Sequence, residues 1–248
     1  MSDIAVTDEA SIRTVRMNRP DKKNALTLAM YTAMAEAVED ASRNPSVRCL
    51  MIAGAPGAFC AGNDIVDFIA MTKSGALGEP IIRFLYALVR CPKPVVAAVT
   101  GNAVGIGATM CLHCDQVIAG TDARFATPFV ALGLVPEFAS SLVAPRLMGH
   151  ARAFSLLVMG QPLGAEEARA AGIVNAVVAP DAADAEALKT ARTIAALPAE
   201  AVVAARRLMR GSVEEIIRRI DEEADEFKVR LKSAEAQAAF AAFVNRKK

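Results

Sequence analysis

The sequence predicts an α/β fold: a mostly parallel, buried sheet followed by a helical C-terminal third. Three observations predict it. The runs at 47–53 and 95–99 are almost wholly apolar and lack alternation, as in strands covered on both faces. Each leads through a glycine-bearing segment into a helix-like pattern, the order of a right-handed βαβ crossover. Beyond about residue 136 the strands nearly vanish and helical patterns follow one another.

Taken in order, residues 4–6 and 11–17 read as short strands around a turn, and 18–24 as a polar loop. Thr27 is placed as an N-cap. Tyr31, Met34, Ala35 and Val38 recur at i, i+3, i+4 and i+7, so an amphipathic helix runs towards Asn44 and Pro45. Residues 64–71 read as a short helix, 72–80 as a connection, and the helix after it ends at Cys91-Pro92-Lys93-Pro94. A helix over 105–114 and a strand over 116–119 follow. Residues 140–148, 151–159, 165–171, 184–197, 199–209 and 213–232 read as helices, with one short strand over 172–178. In 213–232, Val213, Ile216, Ile217, Ile220, Ala224, Phe227 and Leu231 form one apolar stripe, with Glu214–Arg218 and Glu215–Arg219 paired on the wet side.

Composition narrows the function. Lys and Arg total 28 against 27 acids, a net charge of +1, which disfavours nucleic acid as the main partner. Hydrophobic residues make up 54% of the chain, enough for a sizeable core. The first eight residues carry neither a basic nor an apolar signal region, so a cytoplasmic location is expected. Residues 94–114 have no formal charge but contain turn chemistry, and read as strand, turn and helix, not as a membrane span. The five cysteines are odd in number and form no disulfide framework. Cys111 and Cys114 have C-x-x-C spacing without a second ligand pair, so they read as core packing and no metal is expected.

Chemistry enters through the glycine-bearing segments 57–64 and 101–107. A strand-to-helix turn exposes backbone N–H groups where the helix dipole favours negative charge. Two such turns facing one point would stabilise an enolate or tetrahedral oxyanion with main chain alone. No G-x-S-x-G elbow is present, so serine hydrolysis is not expected.

Several motifs occur in a fixed order: Asn18-Arg19-Pro20 with Asn24-Ala25-Leu26, Phe59-Cys60-Ala61-Gly62-Asn63-Asp64, and the run from Pro92 to Gly107. Cys114-Asp115, Ala170-Ala171-Gly172-Ile173-Val174-Asn175, and Ala241, Phe243, Arg246 and Lys247 complete the set. Together they resemble the crotonase (enoyl-CoA hydratase/isomerase) superfamily across essentially the whole chain. The resemblance implies a ββα-spiral core over 1–195 and a C-terminal helical region over 196–248 that covers the site and packs in a homotrimer or dimer of trimers. It implies an acyl-CoA thioester substrate, with coenzyme A as part of that substrate and no separate cofactor. By matched position, the N–H groups of Asn63 and Ile106 form the oxyanion hole. Ala61, Asp64 and Ile65 line the adenine pocket. Lys22 or Lys23, with Arg246 or Lys247 of a neighbouring subunit, meet the CoA phosphates; read without the resemblance, these are solvated basic residues.

Hydratases of this family use two glutamates to activate water, and the matching positions here are Thr109 and Phe129. Neither can accept and donate a proton at neutral pH as a carboxyl group does, so hydration is not the expected main activity. Glu137, in the segment 132–141, matches the single proton-shuttling glutamate of the Δ3,Δ2-enoyl-CoA isomerase branch. It would move a proton from C2 to C4 of a 3-enoyl-CoA through a thioester dienolate. Apolar neighbours would raise its pKa, and a place in a first helical turn after Pro136 would lower it. A ring-derived CoA thioester, weak hydration and non-catalytic acyl-CoA binding are the alternatives. His113 and His150 fit no nucleophile–base–acid arrangement.

Overall fold

The computed structural model describes residues 2–74 and 78–245 of the 248-residue chain. Strands β1 (Ile4–Glu9) and β2 (Ile12–Met17) form an antiparallel hairpin. Ala10 and Ser11 turn it at φ 48° and 65°, the twist a two-residue hairpin loop needs. Helix α1 (Leu28–Arg43) starts where expected, with Thr27 accepting the Met30 N–H. Next come β3 (Cys49–Gly54), α2 (Ile65–Ser74), α3 (Glu79–Arg90), β4 (Val95–Val99), β5 (Asn102–Val104), α4 (Ile106–Cys111) and β6 (Gln116–Gly120). They are followed by β7 (Arg124–Ala126), α5 (Ser140–Met148), α6 (His150–Leu157), β8 (Leu163–Gly164), α7 (Ala165–Ala170) and β9 (Ala176–Val178). Four helices close the described chain: α8 (Ala183–Ala195), α9 (Ala199–Arg210), α10 (Val213–Leu231) and α11 (Ala234–Asn245).

The main sheet has six strands in the order β1-β2-β3-β4-β6-β9, parallel from β2 onward. Its central strands are buried on both faces. Leu50, Ile52, Val95, Ala97 and Val99 join the core with α1 and α3. Cys49, Met51, Ala53, Val96 and Ala98 pack instead against Ala187, Ala191 and Ala195 of α8, whose alanines at every fourth position let the helix lie close to the sheet.

The chain departs from the sequence reading at the second glycine segment. It is not one turn, because β5 lies inside it and pairs with β7, which pairs in turn with β8. Strands of two and three residues carry no period-two pattern, and only their distant partners define them. The helix after this segment ends at Cys111, short of Cys114. Both thiols point back at carbonyls of the preceding turn, Gly107 for Cys111 and Met110 for Cys114, which is a packing role. The C-terminal helices lie over the core: α10 packs on α3, and α11 sits at the short turn Val130–Leu132. No described helix is long and apolar enough to cross a membrane.

Candidate active site

Two isolated parallel bridges fix the first glycine turn, one to Leu26 and one to the second glycine segment. The Leu26 N–H donates to the Gly62 carbonyl and the Asp64 N–H to the Leu26 carbonyl, each at 2.8 Å. Bridged in this way, Leu26 bonds the residues on either side of Asn63, which leaves the N–H of Asn63 facing away. The second bridge joins Cys60 to Ala103, and Val104 donates to the Cys60 carbonyl at 2.8 Å. Gly105, at φ 56°, then opens α4, so the N–H of Ile106 is one of the orphan donors of a helix start. Neither the Asn63 N–H nor the Ile106 N–H finds a backbone acceptor among the described residues. Gly107 fixes the approach: a Cβ there would lie 2.8 Å from both the Cβ and the carbonyl oxygen of Cys60.

Glu137 lies beside Asn63 of the first turn and is bonded by Thr109 of α4. It shares the wall of a small cavity, about 20 Å³, with Asn63, Ile81, Ile82 and Leu85 on one side and Ile220, Ala224 and Phe227 on the other. Thr109, one turn into α4 from Ile106, donates its hydroxyl to Glu137 Oε1 at 2.6 Å. The residue is only partly exposed, and burial of its carboxyl pushes the pKa up to about 8; the Thr109 hydrogen bond opposes this and the charge of Glu223 adds to it. The expected helical lowering does not operate as read from the sequence. Helix α5 begins at Ser140, three residues after Glu137, and its exposed N–H groups are taken by another carboxylate, Glu223.

The Asn63 side chain is held as well, its Oδ1 accepting from the hydroxyl of the buried Tyr31 at 2.5 Å. Tyr31, Phe84, Phe138 and His113 form a chain of ring contacts that reaches the cavity wall at Phe138. His113 is held by the main chain. Its Nε2 is 2.7 Å from the Phe138 carbonyl, and burial pulls its pKa down to about 3, so it is a neutral ring donating to that carbonyl.

The residues matched to CoA contacts spread around the mouth of the first turn. Lys22 and Lys23 are exposed, and the Ala61 N–H donates to the Lys23 carbonyl at 3.0 Å, which brings that loop beside Ala61. Ala61 and Ile65 are partly exposed. The Asp64 carboxylate is already engaged, paired with Arg19 at 2.7 Å and accepting from the Val66 N–H at 2.9 Å. These contacts give Asp64 a helix-start role. Arg246 and Lys247 lie outside the described residues. No group of three His, Cys, Asp or Glu that could hold a metal occurs among the described residues.

Sequence reasoning missed three supports. Thr109 was read only for the carboxylate it lacks, yet it holds Glu137. Asn24, fully buried, donates to the carbonyls of Ala55 and Ala58 and accepts the Arg19 N–H, tying the loop after β2 to the loop after β3. Glu223 had a visible signal. It stands three residues after Ile220 and four before Phe227, a carboxylate on the apolar stripe of its helix.

Comparison with known proteins identifies the family. The profile of the enoyl-CoA hydratase/isomerase family matches residues 7–248. Enoyl-CoA delta isomerase 2 of Rattus norvegicus is 35% identical over 98% of this chain, which spans 64% of that protein's length. The 1,2-epoxyphenylacetyl-CoA isomerase of Escherichia coli strain K12 is 37% identical over 77% of the chain and 75% of its own length. The structure of Pseudomonas aeruginosa OdaA superposes with a TM-score of 0.93 at 46% identity, covering 98% of this chain and 99% of the other. The chain belongs to the enoyl-CoA hydratase/isomerase family and has its fold.

Proposed function

We propose that this member of the enoyl-CoA hydratase/isomerase family is an acyl-CoA isomerase that shifts a 3-enoyl-CoA double bond to the 2-trans position, with Glu137 as proton shuttle. The observation that carries the reading is the raised carboxyl of Glu137, beside Asn63 and one turn of helix from Ile106, whose N–H groups have no backbone acceptor among the described residues. The thioester oxygen sits between those two donors. Ionised Glu137 takes the proton from C2, and the C–H electron pair moves into the thioester to give a dienolate. The oxyanion is held by donors already in place; losing one such donor typically costs about 3 kcal/mol of barrier lowering. The pair then returns through C3, and the Glu137 carboxylic acid delivers the same proton to C4. Double bond and proton have exchanged places, and no water is consumed. A carboxyl near 8 binds the proton firmly enough to accept it from carbon and still return it. Thr109, Phe129 and the apolar walls offer no second acid to hold a hydrating water. Lys22 or Lys23, and Arg246 or Lys247 of a second subunit in a homotrimer or dimer of trimers, are assigned to the CoA phosphates within this proposal.

The E. coli relative supports a second reading, in which the same base acts on a ring-derived CoA thioester. Incubation with a 3-enoyl-CoA, and separately with a 2-enoyl-CoA, tests the first. Conjugated thioester absorbance should grow with the former and persist with the latter, and Glu137→Gln should abolish the growth. Rapid loss of conjugation from the 2-enoyl-CoA would mean hydration. No change with either substrate, with CoA-ester binding intact, would leave the ring reading or a non-catalytic acyl-CoA binder.

A further inference from the structure

The loop that carries Glu137 is strained and held from outside. Phe138 and Ala139, the next two residues, have φ 63° and 52°, a left-handed conformation that costs about 1–2 kcal/mol for each residue with a Cβ. Neither is glycine, so the surroundings must enforce the turn. From one side, His113 donates to the Phe138 carbonyl at 2.7 Å. From the other comes Glu223 of α10, 84 residues further along the chain than Ala139. Its Oε2 accepts the Ala139 N–H at 2.5 Å, and its Oε1 accepts both the Ser141 N–H at 2.9 Å and the Ser141 hydroxyl at 2.5 Å. Helix α5 has no side-chain cap of its own, because its cap position is Ala139. Glu223 supplies that cap from another helix.

We infer that Glu223 is a positioning residue for the Glu137 base: it locks the Phe138–Ala139 turn that aims Glu137 at the oxyanion donors. The inference rests on the isomerase reading only for its catalytic consequence; the geometry and the titration stand without it.

The placement on α10 is what gives the residue reach. Ile220, Ala224 and Phe227, on the same stretch of that helix, line the cavity that Glu137 borders. One helix thus supplies both a wall of that cavity and the clamp on the base. A shuttle that must serve two carbons in turn needs its carboxyl fixed to within a fraction of an ångström.

The electrostatics agree. Glu223 is buried, which pushes its pKa up to about 7; the donors at Ser141 and Ala139 and the charge of Arg219 pull against this. Arg219 also donates to the Ser141 hydroxyl at 3.2 Å. The groups around Glu137 are Thr109, Tyr31, Cys60 and Glu223. Burial keeps Tyr31 and Cys60 protonated, with Cys60 up at about 12, so Glu223 is the facing group that carries negative charge.

The test is Glu223→Gln, alone and combined with Ala139→Gly. Glycine tolerates the left-handed turn without a clamp, so the double variant keeps the fold accessible if the single one unfolds. Two quantities are read. One is kcat and KM with a 3-enoyl-CoA. The other, which needs no turnover, is the titration of the Glu137 carboxyl by carbon-13 NMR of glutamate-labelled protein, identified by its loss in Glu137→Gln. Glu223→Gln should lower kcat about 10- to 100-fold, the usual effect of removing a group that orients a catalytic one. KM should change little, and the Glu137 midpoint should move to lower pH. Ala139→Gly should recover part of kcat and leave the midpoint low. A Glu137 midpoint unmoved in both variants overturns the inference and leaves Glu223 a helix cap. A lowered midpoint in a protein that never isomerises the substrate keeps the inference and overturns the isomerase reading.

Discussion

Replacing Glu137 by glutamine should make the protein more stable in alkaline solution. In the folded chain burial holds this carboxyl at about 8, against an ordinary 4.5. Between those values the folded protein keeps a proton that the unfolded chain has released. Wild-type stability therefore falls as pH rises from 4.5 to 8; the loss is absent below that window and complete above it. A gap of about 3.5 pH units, at 1.36 kcal/mol each, sets the full effect at about 5 kcal/mol. Glutamine has nearly the same shape and keeps an acceptor for the Thr109 hydroxyl, 2.6 Å away in the wild type, but carries no charge. At pH 5 the variant and the wild type should agree to within about 1 kcal/mol. At pH 9 the variant should be the more stable by several kcal/mol. Urea unfolding followed by circular dichroism at pH 5, 7 and 9, at one ionic strength and one protein concentration, measures this. Parallel curves for the two proteins across that range would refute the claim that Glu137 is a buried, reluctant carboxylate, and with it the basis for its role as a base.

Four further outcomes are expected. The rate constant kcat/KM for a 3-enoyl-CoA should rise with pH through a midpoint near 8, because only ionised Glu137 accepts a proton; a flat profile there excludes it as the base. Thr109→Val removes the hydroxyl that lowers the Glu137 pKa, so the midpoint should shift upward and kcat fall about tenfold, which the same pH profiles would show. Gly107→Ala places a Cβ 2.8 Å from Cys60, forcing the two turns apart. Its kcat should drop about 100-fold while the fold survives, as judged by circular dichroism. Asn24→Ala leaves the carbonyls of Ala55 and Ala58 and the Arg19 N–H without their partner and should lower unfolding stability by about 2–4 kcal/mol in urea titrations.

Much of the architecture was legible because it is written locally. The Thr27 cap, the unbroken apolar runs of β3 and β4, and the halt at Cys91-Pro92 each depend on a few neighbouring residues, and each stands where it was expected. Strands β5, β7 and β8 were not legible. At two or three residues each they contain too little pattern, and they exist because distant segments pair. Helix α5 spans 140–148 as expected, but Glu137 does not share its first turn, for a similar reason. Pro136 reads as a helix-opening residue, but Phe138 and Ala139 take left-handed conformations and postpone the helix to Ser140, a turn that only tertiary contacts hold.

The sequence by itself determined the fold class, the two glycine segments with their backbone donors, and Glu137 as the carboxyl to watch. Tertiary structure decided how that carboxyl behaves. Its proton affinity comes from burial, from a threonine 28 positions away and from Glu223 on another helix. Desolvation and charge act through space, and residues far apart in the chain set them by meeting in the fold.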